Sequence, residues 1–95
     1  MPDTYIPPPA KTMNDIDKVI DFIKARVKPL RARVPNGSDE ERAYQALLDV
    51  ATVLRGSAQS EITRAEDPSM QYFYLTIAAQ QWYDHPDFLP AWRNG

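Results

Sequence analysis

Residues 67–83 read DPSMQYFYLTIAAQQWY, and the period of this stretch decides the fold. Met70, Phe73, Tyr74 and Ile77 recur at spacings of three, one and three, which places them on one face of a helix. Tyr72, Leu75, Ala79 and Trp82 make a second face at the same period. No alternating strand pattern competes, and no hairpin turn separates β-rich runs anywhere in the chain. A helix apolar on most of its circumference is buried on more than one side. Asp67-Pro68 supplies its expected start as N-cap and first helical residue. The helix is expected over 68–83.

Upstream, Ser38 and Glu41 have capping-box spacing. Tyr44, Leu47, Leu48, Ala51, Leu54, Ala58, Ile62 and Ala65 then hold a helical period, so a helix is expected over 38–66. Gly56 and Ser57 weaken it, and their small size would let another helix approach closely. Further upstream, Ile16, Val19, Ile20, Ile23, Val27, Leu30 and Val34 form one stripe over 13–34, with Thr12 or Asn14 as cap. Pro29 interrupts the stripe, and a kink or short break is expected there. Val34-Pro35-Asn36-Gly37 reads as the connecting turn. The first twelve residues, with Pro7, Pro8 and Pro9, read as an extended flexible tail. The expected architecture is all-α: an antiparallel three-helix bundle in a single domain, residues 13–95, with a C-terminal aromatic segment folded back on it.

Composition narrows function by exclusion. The chain has 95 residues, a formal charge of −2 and no cysteine. Disulfides and thiolate metal sites are therefore excluded, and a dedicated nucleic-acid binder is disfavoured. No apolar run approaches the ~18 residues of a membrane span, and no signal-peptide pattern opens the chain. A cytoplasmic protein is the expectation.

The segment following residue 83 carries the most chemistry. Asp84, His85, Pro86 and Asp87 combine the only histidine with two carboxylates. A metal site needs three or four converging ligands, and catalysis needs a nucleophile in a recognisable setting. Neither is visible, so a hydrolase or metal-dependent enzyme at His85 is the remote reading. The simpler one is a structural clasp. Asp84 caps the turn, Pro86 fixes an extended step at His85, and Asp87 caps a short turn over 87–92. No cofactor is expected.

Seven of the ten aromatic residues fall between Tyr72 and Trp92, a composition shared by small cores and by protein-binding surfaces. Tyr72, Leu75, Trp82, Tyr83, Phe88 and Trp92 are the candidate interaction residues. A basic run, Lys24, Arg26, Lys28, Arg31 and Arg33, lies in the first helix, and Lys24, Lys28 and Arg31 share a face. They form a candidate anion-binding strip, although bases at a helix end also complement its dipole.

Two stretches, VIDFIKARV (19–27) and WYDHPDFLPAWR (82–93), resemble the two ends of a family of small actinobacterial and actinophage proteins, a domain of unknown function. Its members open with apolar-x-Phe-x-x-x-Arg and close with Asp-His-Pro-Asp-aromatic, three variable residues, then Trp-Arg. Here the closing residues are Asp84, His85, Pro86, Asp87, Phe88, Trp92 and Arg93. The centre departs from the family, whose longer middle region has further Trp and His residues. The resemblance implies a phage or prophage origin and no particular activity. The leading expectation is a non-enzymatic interaction protein that binds a host or phage protein, with a homodimer as one form. The alternative is a nucleic-acid accessory protein using the basic strip.

Overall fold

In the computed structural model, residues 9–93 are described. Three helices form the bundle: α1 (Met13–Ala32), α2 (Asp39–Thr63) and α3 (Ser69–Ala79). A 3-10 turn, Gln80–Trp82, extends α3, and a second, Pro90–Trp92, lies near the C-terminus. There is no strand among the described residues. The all-α three-helix expectation holds.

The helices run up, down and up. Arg55 of α2 reaches back to Asp17 near the start of α1, with Nε donating to Oδ1 at 2.7 Å. Arg31 near the end of α1 donates to Gln45 early in α2. Gln71 at the start of α3 donates to Ser57 late in α2, at 2.9 Å. α1 is the central element and packs on both other helices. Its stripe residues Ile16, Val19, Ile20, Ile23 and Val27 are buried, while Leu30 and Val34 are only half-buried. Phe22, off the expected stripe, is buried as well.

The helix ends differ from expectation in instructive ways. Thr12 and Asp15 form the complete capping box: Asp15 N–H donates to Thr12 Oγ1 and Thr12 N–H to Asp15 Oδ2. At Ser38 only half of the box forms, since Glu41 accepts from Gly37 N–H instead of from Ser38. Gly37 has φ +80°, the left-handed region that glycine tolerates and other residues resist. α1 continues through Pro29 to Ala32 without a break. Pro29 and Ala25 are both exposed, so the carbonyl left without a partner faces water, which limits the cost of the proline.

α2 stops at Thr63, earlier than the apolar period implied, because Ala65 turns left-handed at φ 59°. Ala65 N–H donates to the Ile62 carbonyl and Glu66 N–H to the Glu61 carbonyl, completing a Schellman cap. The turn brings Glu61 and Glu66 together. A hydrogen bond between them raises the Glu61 carboxyl and lowers that of Glu66. Gly56 gives no close helix approach, since a Cβ there would meet nothing within 4 Å.

α3 begins at Ser69, one residue after the expected start, and its N-cap position is Pro68, which makes no side-chain cap bond. Asp67, the expected cap, instead accepts the Lys11 backbone N–H at 3.1 Å. Lys11 Nζ also lies 4.4 Å from the centre of the Tyr72 ring. Of the expected flexible tail, residues 1–8 lie outside the described residues, whereas Lys11 and Thr12 are tied to the bundle. No helix among the described residues is long and apolar enough to cross a membrane.

Candidate functional site

α3 carries two opposed apolar arcs, and only one is covered by the other described residues. At 100° per residue, Met70, Phe73, Tyr74 and Ile77 span an arc about 100° wide. Leu75 and Ala79 lie opposite and are buried against the other helices, with Gln71 and Thr76 beside them. The first arc faces out: Met70 is 59% exposed, Phe73 48%, Tyr74 50% and Ile77 44%. Phe73 and Tyr74 pack on each other at a ring-centroid distance of 6.1 Å. No charged residue occurs from Ser69 to Tyr83, so this face has no charge on its own helix.

The expected interaction residues therefore separate. Leu75, Phe88 and Trp92 are buried within the chain and offer no contact surface. Tyr72 and Trp82 are half-buried against the core, and Tyr83 alone of the six is fully outward. Burial raises the Tyr72 hydroxyl pKa, with the Asp15 charge adding to the shift. The sequence presented two apolar faces on α3 without saying which would find a neighbour. Met70, Phe73, Tyr74 and Ile77, which share a face by period, are the exposed set instead.

The C-terminal segment is a clasp on the second face of α1. Phe22 is the seat: Trp92 lies 5.1 Å away, His85 5.6 Å and Phe88 5.9 Å, measured between ring centroids. Phe88 and Trp92 meet edge to face at 5.4 Å. Gln80 secures the far end, its amide donating to the carbonyls of Trp92 and of Thr76. The polar residues act differently from expectation. Asp84 is exposed and makes no side-chain hydrogen bond among the described residues; backbone bonds close the turn instead. Asp87 does not cap the last turn, whose N-cap position is Leu89. Its backbone N–H donates to His85 Nδ1 at 3.0 Å.

Arg26, four residues after Phe22, contacts His85 Nε2 through Nη1 and stacks near the Phe22 ring at 5.7 Å. Open grooves lie on either side of it. One, about 430 Å³, runs between Lys18, Asp21, Phe22, Asp87, Leu89 and Trp92. The other, about 360 Å³, is walled by Arg26, Leu30, Arg33, Trp82 and His85. Residues 19–27 and 82–93 thus touch each other, through Phe22 and Arg26 on one side and His85, Phe88 and Trp92 on the other.

The basic strip remains on the surface. Lys28 and Arg31 are exposed and Lys24 is half-buried, and none pairs with a carboxylate among the described residues. Asp17 pairs with Arg55 and raises that guanidinium further, chiefly through the hydrogen bond. Among the described residues, no group of three or more His, Cys, Asp or Glu side chains is placed to hold a metal ion. No family model, curated protein or solved structure matches the chain.

Proposed function

We propose that this chain is a non-enzymatic protein-docking domain whose working surface is the outer arc of α3. The supporting observation is the charge-free apolar face of Met70, Phe73, Tyr74 and Ile77, each more than two-fifths exposed. Aromatic and methionine side chains dominate the energetics of protein interfaces, and charged residues are depleted from interface centres. The partner that fits is an apolar helical surface of another protein, laid against an arc read at i, i+3, i+4 and i+7. The resemblance to actinobacterial and actinophage proteins supports an actinobacterial cell as the setting for that partner. The domain acts there by occupying a host or phage protein, not by chemistry on it.

Affinity purification from an actinobacterial lysate tests this reading, comparing the natural chain with Phe73→Glu/Ile77→Glu. A protein retained by the first and lost with the second, while both remain equally helical, supports it. Identical capture by both removes the outer arc as the working surface. Light scattering on the purified chain separates a homodimer from a foreign partner. Lys24, Lys28 and Arg31, none of which pairs with a carboxylate among the described residues, favour a second reading, nucleic-acid association. It predicts a salt-sensitive gel shift abolished by Lys24→Ala/Lys28→Ala/Arg31→Ala, and no shift at low salt eliminates it.

A further inference from the structure

α2 carries an exposed seam of its own. Ala43, Ala46, Val50, Val53, Ser57 and Ser60 recur at alternating spacings of three and four, and all six are exposed. That is the heptad spacing of a helix with another helix laid along it. The buried residues of α2, Leu48, Ala51 and Ala58, fall on a different side, centred about 140° away at 100° per residue. The seam borders α3, because Gln71 donates to its member Ser57 at 2.9 Å. Counting along the antiparallel helices from that contact, Val53 and Val50 stand level with the turns of α3 that carry Tyr74 and Ile77. Gln71, Tyr74 and Met70 follow one another round the same flank of α3. Seam and outer arc therefore share one face of the α2–α3 pair, and no charged residue belongs to either.

The two halves of this face differ in size, and the difference is self-complementary. α3 presents large side chains, whereas the α2 seam presents nothing larger than valine. Small residues at heptad spacing leave holes that large side chains of another helix fill. A twofold axis along the α2–α3 junction lays each outer arc on the α2 seam of the other copy, and does so twice. Every neighbouring helix in the resulting four-helix layer is antiparallel, as in up-and-down bundles. The area also suits a second copy. Val50 is 55% exposed and Val53 70%, and with the four arc residues they leave roughly 100 Å² open at each position. That gives about 600 Å² per copy and about 1,200 Å² for a pair, the size at which specific interfaces begin, before the alanines and serines add to it. We propose that the α2–α3 face pairs with the same face of a second copy of this chain. The proposal rests on the reading of the outer arc as a contact surface and names what covers it when no other protein does. A foreign partner and the second copy then compete for the arc.

The test is light scattering on the full chain across a concentration series. The mass is expected to rise from that of one chain towards that of two, with a dissociation constant on the order of 10–100 µM for an interface of this size. Val53→Glu puts a charge on the α2 seam at a position the bundle leaves open. It is expected to weaken association at least tenfold with helicity unchanged in circular dichroism, and Ile77→Glu on α3 to do the same. Gln59→Glu, exposed on another side of α2, is expected to change nothing. A chain that stays monomeric throughout overturns the proposal, and so does a dimer that Val53→Glu leaves intact. Capture from the lysate distinguishes this failure from failure of the docking reading, because Val53→Glu keeps the outer arc whole. Arc-dependent capture by a chain that never dimerises removes the second copy and leaves the docking reading standing. A dimer broken by Val53→Glu, with no protein captured through the arc, upholds the second copy and removes the foreign partner.

Discussion

Phe88 and Trp92 belong to the same aromatic-rich run as Phe73 and Tyr74, yet the first pair is buried and the second about half exposed. Residue type does not separate them, and neither does position in the run. What separates them is an opposing surface. Phe22 and Arg26 present a second face on α1, and the clasp closes over it. The outer arc of α3 points away from both other helices and has no such counterpart among the described residues. An aromatic cluster in a small protein thus becomes core or contact surface according to what its neighbours leave uncovered.

The contrast breaks most sharply if a clasp residue and an arc residue are truncated in parallel. Trp92→Ala removes a buried ring that contacts both Phe22 and Phe88 and is expected to cost about 3–5 kcal/mol in denaturant unfolding. Gln80→Ala deletes the amide that ties Trp92 back to α3 and should cost about 1 kcal/mol in the same measurement. Phe73→Ala is expected to stay within about 0.5 kcal/mol of the natural chain, as surface substitutions do. A loss from Phe73→Ala comparable to that from Trp92→Ala would show that the outer arc is part of the core and would end the distinction.

Tyr72, half-buried between the two classes, sharpens the comparison by its titration. Burial raises its hydroxyl above the usual value of 10.0, so the folded state holds the proton more tightly than the unfolded chain. Its contribution to stability is full below that value and is lost as pH rises through the folded-state value. Unfolding midpoints measured on the alkaline side of 10.0 should fall more steeply for the natural chain than for Tyr72→Phe. The effect is small because the group is only partly enclosed.

Much of this fold is legible in the sequence, because helical period and turn residues are local signals. The α1 stripe, the turn at Gly37 and the three-helix count need nothing beyond nearest neighbours along the chain. The caps departed from expectation where another donor intervened: Asp67 was drawn to Lys11, far along the chain, and Glu41 to Gly37, four residues away. The Thr12 box does not show in the usual sequence pattern because its reciprocal partner is Asp15, an aspartate where that pattern has Glu or Gln. Phe22 was hidden by lying off the main stripe, and its burial depends on a segment far along the chain. The exposed arc was visible as a face, but no periodicity says which of two apolar faces is left outside.

The contact between Phe22 and Trp92 has a kinetic side. α1 and α2 meet through a short turn, whereas the clasp must bring together residues near opposite ends of the sequence. The entropy of closing so long a loop is set against the contact itself and is recovered only once the rings have docked. The helices are therefore expected to assemble first and the clasp last, as a separate cooperative unit. In hydrogen exchange the same order runs backwards: the amides of residues 85–93 open in a partial unfolding that leaves the helices intact. Each such opening bares Phe22 and Arg26 to solvent while the bundle stays folded.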